Sequence, residues 1–383
     1  MTASGPLSGV TIVDLTRVLA GPFSTMILAD LGARVIKVET PGTGDDAREY
    51  GPFVGGKSAY FISVNRGKES IALDLKKDED RAVFEKLLAK ADVVVENFRP
   101  GTMEKLGYGW DTLHAKYPKL IYAACSGFGH TGPHSKRPAY DMVVQAMGGI
   151  MSITGQPGGE PTRVGMSIGD VAAGLYTTIG INAALYDRAT TGEGRKVDIG
   201  MFDVQMALME NAIVRYSATG EIPGPLGGRH PSITPFQVFK TQDGHMIVAG
   251  GNDTMYRRFC EIIERPDLAT NPLFATNRLR NEHHDALEAE IQGVLTTRPT
   301  AAWLELLDAA GVPASRINDV SQVMQHPQVE PRNMVIDVTD PKAGSLRVAG
   351  NPVKISGYDD PTSRPTAPDV DQDREKILRE LAG

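Results

Sequence analysis

The sequence predicts an α/β protein with a doubly wound parallel sheet and a second, smaller α+β domain. Strands and helices alternate through the first half of the chain, and the strands are mostly apolar, as in sheets that helices cover on both faces. After about residue 220 the pattern changes to a Gly/Pro-rich loop, PLGGRHPSITPF, and a hairpin. A chain of 383 residues is longer than one hydrophobic core usually serves, so two domains are expected.

The first half contains the predicted strands of the parallel sheet. They cover residues 10–15, 34–39, 70–75, 92–98, 119–128 and 196–201, with helices predicted at 23–33, 76–91 and 171–187. The last of these helices is apolar on nearly all sides, which predicts that it is buried. Ligands of such sheets bind beyond the carboxyl ends of the strands, so the residues after each strand are the first candidates for a binding site.

The second half is predicted to form the smaller domain. Residues 236–251 are typical of a hairpin with Asp-Gly at its turn, followed by helices near 253–264, 283–296 and 300–311. From about residue 330 the pattern is again that of strands (MVIDV, LRVAG, VKIS), ending in a short charged helix. We therefore divide the chain into 1–220, 221–328 and 329–383.

Composition and charge exclude several classes of protein. The net charge of −7 argues against a non-specific nucleic-acid binder. Cys125 and Cys260 are too far apart in sequence for a CxxC metal site, and the one adjacent histidine pair, His283 and His284, points to different sides of a helix. The sequence has no signal-peptide pattern and no uninterrupted apolar stretch of membrane-spanning length. We expect a cytoplasmic, metal-free protein with no membrane or nucleic-acid partner.

Several cations follow the predicted strands, together with aromatic and other polar residues. They are Arg17 after the first strand, Lys76 after the third, Asn97, Phe98, Arg99 and Lys105 after the fourth, and Lys136, Arg137, Tyr140 and Asp141 after the fifth. Such a set at one edge of a sheet suits a polyphosphate with an adenine. Neither GxGxxG after the first strand nor GxxxxGK[ST] occurs, which disfavours a nicotinamide enzyme or a P-loop NTPase.

One carboxylate, Asp170, stands at the start of the apolar helical segment in GDVAAGLY. An isolated Asp before a helix is usually an N-cap, and the alternative is a reactive group. A helix N-terminus favours the anion, whereas apolar surroundings raise the pKa of a carboxyl group. Asp45 and Asp46 are a second open case, since they are either solvated loop residues or part of the entrance to a site.

The sequence resembles CoA-transferase family III, the group that includes formyl-CoA transferase, carnitine CoA-transferase and 2-methylacyl-CoA racemase. The stretches that carry the resemblance are LSGVTIVDLTRVLAGPF, ADLGARVIKVE, SVNRGKESIALDLK, ADVVVENFRPG, YDMVVQAMGG, SIGDVAAGLY, TTGEGRKVDIGMFD and GGRHPSITPFQVFKTQDG. The resemblance implies a Rossmann-like large domain completed by both chain ends, so that 329–383 returns to it. It also implies a smaller domain and a homodimer whose two chains interlock.

By position, the resemblance implies that Asp170 is the nucleophile. The implied CoA contacts are Leu19, Ala20, Leu73, Lys76, Asn97, Phe98, Arg99, Lys105, Arg137, Ala139, Tyr140 and Asp141. The implied loop over the intermediate contains Gly227, Gly228 and His230, with His230 as a hydrogen-bonding loop residue. Coenzyme A enters as an acyl-CoA substrate, and no permanently bound cofactor is expected.

Two departures from the family pattern bear on the reaction. Formyl-CoA transferase has Gln where this chain has Leu19, which weakens the case for oxalate as a substrate. The racemase branch has a catalytic His where this chain has Tyr140. The leading hypothesis is therefore CoA transfer from an acyl-CoA to a carboxylic acid, of the succinyl or glutaryl type, through a mixed anhydride on Asp170. The alternatives are a 2-methylacyl-CoA racemase, or other chemistry at the α-proton of CoA esters, and a CoA-binding protein without turnover.

Overall fold

A computed structural model describes residues 5–382 of the chain. The described residues divide into two compact units, one made of 5–151, 163–221 and 327–382, and the other of 152–162 and 222–326. The segment 152–162 therefore lies in the second unit, although its sequence position lies within 1–220. The division into domains at 220 and 328 stays a prediction.

The first unit is built on a six-stranded parallel sheet in the order β5-β2-β1-β6-β7-β8. Its strands are β1 (Thr11–Asp14), β2 (Arg34–Glu39), β5 (Glu69–Ala72), β6 (Val93–Glu96), β7 (Ile121–Ser126) and β8 (Lys196–Gly200), and β3 (Phe53–Val54) pairs separately with β4 (Lys57–Ser58). The parallel sheet predicted from the sequence is confirmed. The chain builds outward from β1 to β5 and then returns to place β6 beside β1. This is the arrangement that creates a ligand crevice at a switch point.

Helices cover both faces of this sheet. Those before residue 222 are α1 (Ala20–Asp30), α2 (Ala59–Asn65), α3 (Asp78–Lys90), α4 (Thr102–Leu106), α5 (Trp110–Lys116), α6 (Asp141–Met147), α7 (Ile168–Thr191), α8 (Met201–Leu208) and α9 (Glu210–Thr219), with 3-10 turns at Asp46–Glu49 and Ile150–Ser152. Alternate residues of β1 enter different cores, since Val13 packs with Phe84 of α3 and Ile12 packs with Leu28 of α1. Strands buried on both faces explain the near-continuous apolar runs in the sequence.

Helix α7 departs from the expectation that it is buried on all sides. Its inner face packs against α1 and the sheet, with Ala173 and Ile181 fully buried. On its other face Ile179 is 61% exposed and Tyr186 is 81% exposed. By length and composition α7 is the one described helix that could cross a membrane, and part of it is buried inside the protein. The apolar sequence of α7 therefore supplies two surfaces, an inner face that is buried in the protein and an outer face that is exposed in the single chain.

The second unit has its own sheet and core. Its strands are β9 (Phe236–Lys240), β10 (His245–Ala249) and β11 (Ala314–Arg316), in the antiparallel order β11-β10-β9. Its helices are α10 (Asp253–Ile262), α11 (Pro266–Thr270), α12 (Asn277–Glu282), α13 (His284–Leu295), α14 (Thr300–Ala309) and α15 (Val320–Met324). Trp303 is buried in the core, and its indole N–H donates to the Leu295 carbonyl at 2.9 Å. A buried Trp with its polar atom satisfied anchors this core.

The last part of the chain completes the first unit. Strand β12 (Val335–Asp340) pairs antiparallel with β13 (Gly344–Ala349) and parallel with β14 (Ser363–Pro365), and α16 (Arg374–Ala382) follows. Ile377 of α16 lies in the same core as Phe84 of α3. The predicted strand VKIS is wrong, because residues 353–356 form no ladder. The Val353 N–H instead donates to the Asn351 side chain at 2.9 Å.

Candidate active site

The carboxyl ends of β1 and β6 meet where the sheet changes direction, and the loops that follow them touch. The Asn97 side chain accepts a hydrogen bond from the Arg17 N–H at 2.8 Å and donates to the Arg17 carbonyl at 2.7 Å. Asn97, predicted as a CoA contact, therefore uses both ends of its amide to fix the neighbouring loop. Loops joined in this way at a switch point form the floor of a binding crevice.

A first cavity of about 400 Å³ opens on one side of these loops. Among the predicted CoA residues, Leu73, Lys76 and Phe98 line it. Arg17 lines it as well, with its guanidinium carbon 5.3 Å from the centre of the Phe98 ring. An aromatic ring and two cations suit an adenosine diphosphate.

A second, smaller cavity of about 170 Å³ contains Asp170. It brings together the predicted residues Leu19, Ala20, Asn97, Phe98, Arg99, Ala139, Tyr140 and Asp170. Arg17 and Phe98 line this cavity too, so they stand between the two cavities. Seven predicted residues from separate parts of the sequence thus share one small site with the Asp170 carboxylate.

Three of the predicted CoA contacts lie elsewhere. Lys105 and Arg137 are exposed, and neither is among the described residues that line the two cavities. Asp141 is buried: its carboxylate accepts from the Gly169 N–H at 2.8 Å and from the Gln145 side chain at 2.8 Å. In this chain Asp141 therefore bonds the start of α7, and its carboxylate is engaged by the protein itself.

Asp170 is the third residue of α7, within its first turn, and is not the N-cap. That position belongs to Ser167, whose side chain makes no capping bond. Within residues 5–382 no hydrogen bond or ion pair to the Asp170 carboxylate is seen. Burial, and then the nearby charge of Asp141, raise the pKa of Asp170 to about 7. A half-buried carboxylate without protein partners, in a cavity, is typical of a reactive group.

Two further side chains near Asp170 were not singled out from the sequence. Tyr60, in α2, has its pKa raised to about 12 by burial and then by the charge of Asp170, so its phenol stays protonated. Cys125, which lines the Asp170 cavity, has its pKa raised to about 12 by burial and is an inert thiol at neutral pH. The sequence carries no signal for Tyr60, because α2 joins the site only through the fold.

The glycine loop is ordered by neighbours in the second unit. Gly227 has a φ of +62°, which favours glycine, and it lies against the end of the Gln156 side chain. His230 stacks on Phe236 with ring centres 5.2 Å apart, and its Nδ1 accepts from the Ser232 N–H at 3.1 Å. His230 is thus a hydrogen-bonding loop residue. A role for Gly227, Gly228 and His230 in shielding the intermediate stays a prediction.

One group of side chains in the described part of the chain has the spacing of metal ligands: His284, Asp285 and Glu288 of α13. The Gln237 amide donates to Glu288 at 2.8 Å and offers its oxygen to His284 Nε2 at 2.6 Å, so Nε2 carries a proton. The other nitrogen then faces Asp285 at 3.0 Å. The absence of a metal stays a prediction.

The comparison with known proteins decides the family. The model of CoA-transferase family III matches residues 7–374. The chain belongs to CoA-transferase family III. This confirms the resemblance read from the sequence.

Named CoA-transferases are similar to this family III chain over nearly its whole length. Acetyl-CoA:oxalate CoA-transferase of Acetobacter aceti is 49% identical over 99% of this chain and 96% of that protein. Succinyl-CoA:mesaconate CoA-transferase of Haloarcula hispanica is 42% identical over 98% of this chain and 96% of that protein. Human succinyl-CoA:glutarate CoA-transferase is 40% identical over 98% of this chain and 86% of that protein. Together with the family match, they identify this chain as a CoA-transferase.

A solved structure has the same fold as this family III chain. The crystal structure of a CAIB/BAIF family protein from Brucella suis superposes with a TM-score of 0.84 at 39% identity, covering 98% of this chain and 99% of that one. The mixed α/β architecture with its parallel central sheet is therefore the architecture of the family.

Proposed function

We propose that this enzyme transfers CoA from an acyl-CoA thioester to a free dicarboxylic acid of the succinyl or glutaryl type. Relatives named for glutarate, mesaconate and D-citramalate transfer support that class of acceptor. The acyl-CoA and the carboxylic acid are both substrates, and no resident cofactor takes part in the steps proposed below.

The observation that carries the proposal is the environment of Asp170. Its carboxylate lies in the smaller cavity without a bonding partner among residues 5–382, while the neighbouring Asp141 is fully engaged with Gly169 and Gln145. A carboxylate with a raised pKa is a better nucleophile than one held by several hydrogen bonds. The first turn of α7 favours its ionised form near neutral pH.

The proposed reaction uses Asp170 as a covalent carrier. An Asp170 oxygen attacks the thioester carbonyl, the carbon–sulfur bond breaks, and a mixed anhydride and a CoA thiolate form. The thiolate then attacks the Asp170 carbonyl, which releases the donor acid and leaves an aspartyl-CoA thioester. The acceptor carboxylate attacks that thioester and expels the thiolate, which in turn attacks the acceptor's acyl carbon. The new acyl-CoA leaves, Asp170 is free, and no proton is consumed.

The neighbouring residues support these steps without taking part in bond changes. Asp141 fixes the start of α7 through the Gly169 N–H, so Asp170 is held on a rigid element. Tyr60 stays a neutral phenol, because burial and then the negative charge of Asp170 raise its pKa to about 12. A neutral O–H donor beside a developing oxyanion stabilises it without adding charge.

The two cavities are proposed to divide the CoA molecule between them. The adenosine diphosphate would lie in the larger one, against Phe98 and Lys76, and the thioester would reach the smaller one past Arg17. Holding the large nucleotide keeps the thiolate close while it leaves and returns. This arrangement offers Arg17, Lys76 and Arg99 as cations for the CoA molecule, because all three line the cavities, whereas Lys105 and Arg137 remain candidates only by resemblance.

We also propose that the enzyme is a homodimer, as the family resemblance implies. The outer face of α7 exposes Leu175, Tyr176, Ile179 and Tyr186, and α9 has no buried residue while it exposes Ile213, Val214 and Tyr216. Apolar surface of this extent is typical of an interface between subunits. An interlocked arrangement and a cytoplasmic location stay predictions.

Trapping the intermediate tests the mechanism. The enzyme is mixed with succinyl-CoA and then with hydroxylamine, and its intact mass is measured. We expect an adduct on Asp170 that is missing in Asp170→Ala. A wild-type enzyme without an adduct, or the same adduct on the alanine variant, would contradict the covalent mechanism.

A panel of acyl-CoA donors and carboxylate acceptors, read by mass spectrometry of the new CoA esters, tests the substrate class. The racemase alternative is tested in the same experiment by incubating a chiral 2-methylacyl-CoA in deuterated water. Deuterium at the α-carbon without acyl exchange would support the racemase and overturn the transferase. Tyr140 is exposed in the Asp170 cavity at the position where that reaction would need a histidine.

A further inference from the structure

We propose that Asp45, a buried residue in the lining of the larger cavity, is a positioning residue for acyl-CoA binding: it holds Val18 in a strained conformation that shapes both cavities. The proposal deepens the function proposed above and rests on it, because the effect is measured as binding of an acyl-CoA. Asp45 is outside the set of residues that the family resemblance implied.

Val18 is the strained residue. Its φ is +68°, in the left-handed region, which is a rare conformation for a β-branched side chain. Such a conformation is unfavourable and persists only where the surroundings impose it. It stands between Arg17, which lines both cavities, and Leu19, which lines the cavity of Asp170.

Asp45 supplies the bond at the strained residue itself. Its Oδ1 accepts from the Val18 N–H at 3.0 Å and from the Ala47 N–H at 2.9 Å. Its Oδ2 lies 2.8 Å from the ammonium nitrogen of Lys37, and both side chains are almost fully buried. Lys37 also donates to the Thr16 carbonyl at 2.6 Å, so one buried ion pair bonds to the loop at two points.

The rest of the loop is held in the same way by side chains. Asn97 bonds both the N–H and the carbonyl of Arg17, and Asp14 accepts from the Thr16 N–H at 2.8 Å. Only the bond from Asp45 acts on the residue whose conformation is unfavourable. Removing it therefore frees the residue that decides which way Arg17 and Leu19 face.

The loop that contains Val18 also contacts α7, the helix that carries Asp170. A side chain at Gly174 in α7 would come within 2.7 Å of the Ala20 carbonyl, so the end of the loop and α7 are in close contact. A shift of the loop would disturb the passage between the two cavities before it disturbed Asp170, which lies on α7. Acyl-CoA binding should consequently suffer more than the chemical step.

The experiment compares Asp45→Asn, Val18→Gly and the double variant with the wild-type enzyme. KM for the acyl-CoA and kcat are measured with acceptor in excess. Asp45→Asn keeps the size of the side chain but loses the charge that pairs with Lys37. We expect its KM to rise about tenfold, the effect of about 1.4 kcal/mol, with a smaller change in kcat. In the Val18→Gly background the same substitution should raise KM less than about threefold, because glycine adopts this φ without strain.

The control is Asp340→Asn, which removes another buried carboxylate with a lysine partner, Lys57, at 2.8 Å and away from the loop. It should lower the melting temperature and leave KM unchanged. An unchanged KM in Asp45→Asn, or equal effects of that substitution in both backgrounds, would overturn the proposal. A wild-type enzyme that transfers no CoA would overturn the proposed function instead.

A second comparison does not depend on Asp45→Asn folding. At an ordinary position an alanine variant melts above the corresponding glycine variant. Since φ at residue 18 is positive, we expect Val18→Gly to melt above Val18→Ala. The ordinary order would mean that the strained conformation is not held in solution, and would overturn the proposal as well.

Discussion

Two carboxylates meet at the start of α7, and their surroundings assign them different roles. Asp141 accepts hydrogen bonds from Gly169 and Gln145, whereas Asp170 is left without a partner among the described residues. Asp170 is therefore not the cap of α7. Asp141 of α6 bonds the start of that helix instead. Asp170 still gains from the helix N-terminus, because it lies in the first turn.

The rate of the reaction should follow the ionisation of Asp170. Its pKa is raised to about 7, so the nucleophilic form is lost as the pH falls below that value. We expect kcat/KM for the acyl-CoA to level off above about pH 7 and to fall nearly tenfold per pH unit well below it. A pH–rate profile under subsaturating acyl-CoA measures this. A plateau that extends down to pH 5 would contradict the prediction.

The raised pKa of Asp170 should also make the stability of the folded protein depend on pH. Between its ordinary value of 3.8 and about 7, Asp170 keeps a proton in the folded state that it loses on unfolding, so stability falls as the pH rises through this window. Asp170→Asn has no proton to lose. Its melting temperature should therefore gain on that of the wild type from pH 4 to pH 7, while transfer activity is abolished.

Thermal melts of both proteins across this pH range measure the effect. The control is Asp187→Asn, which removes an exposed carboxylate from the same helix, where the ion pair with Arg195 is screened by solvent. It should change the melting temperature little at any pH. A constant difference between Asp170→Asn and the wild type would show that the Asp170 carboxyl has an ordinary pKa in the folded protein.

Leu19 should restrict the acceptor. It lines the Asp170 cavity, where formyl-CoA transferase has Gln, yet a relative 49% identical to this chain is named for oxalate. We expect the wild-type enzyme to favour glutarate or succinate over oxalate. Leu19→Gln should raise kcat/KM for oxalate relative to glutarate by adding a hydrogen-bonding group for the small dianion. A wild-type enzyme for which oxalate is the best acceptor would contradict this prediction.

At the scale of single residues, the site positions that could be predicted from the sequence are those that come directly after strands. The residues directly after β1 and β6 were found because strand ends converge in a parallel sheet. Asp141 was assigned to CoA because the family resemblance implies it by position, although its carboxylate accepts a hydrogen bond from the start of α7. Tyr60 and the conformation of Val18 were missed, because proximity and φ have no signature in one sequence.

At the scale of elements, the contact between α1 and α7 depends on glycine. A side chain at Gly174 would lie 2.7 Å from the Ala20 carbonyl and 3.1 Å from the Phe23 ring, so the two helices would have to separate. We expect Gly174→Ala to destabilise the protein by about 1–3 kcal/mol, in the range of other overpacked cores. Chemical denaturation measures the change.

Gly293→Ala is the matched control for this substitution. Gly293 lies inside α13, and a side chain there would meet nothing within 4 Å. Alanine should therefore stabilise that helix by about 0.5–1 kcal/mol, the ordinary difference between the two residues. If both substitutions shifted stability in the same direction, close packing between α1 and α7 would not be the reason.

Most elements could be predicted from the sequence because their patterns are local. β2 begins and ends where the run RVIKVE does, and the hairpin of β9 and β10 encloses the predicted Asp-Gly turn. The strand predicted at VKIS is wrong because an alternating pattern without a partner strand forms no ladder. The prediction that α7 is buried failed for its outer face, because an apolar pattern does not say which surface will cover it.

At the scale of the whole molecule, the exposed apolar faces of α7 and α9 predict self-association. Light scattering after gel filtration should give twice the mass of one chain. Ile179→Glu, which places a charge on a residue that is 61% exposed here, should weaken the dimer and lower activity together. The control is Ile222→Glu, at a site that is 87% exposed and outside both helices, which should leave the mass unchanged. A wild-type monomer would contradict the proposed homodimer.

The backbone of the edge strand β5 is hydrogen-bonded by side chains that lie some 300 positions further along the chain. Asp373 and Asp371 accept from the N–H groups of Ser70 and Ala72 at 2.9 and 2.7 Å, and Arg374 donates to the Ala72 carbonyl at 2.8 Å. During synthesis on the ribosome, that edge should therefore stay open until residues 371–374 have emerged. A nascent chain halted before residue 371 should present an unpaired strand edge, the kind of surface that pairs with other chains and aggregates. Protease sensitivity of stalled chains with and without residues 371–374 measures it.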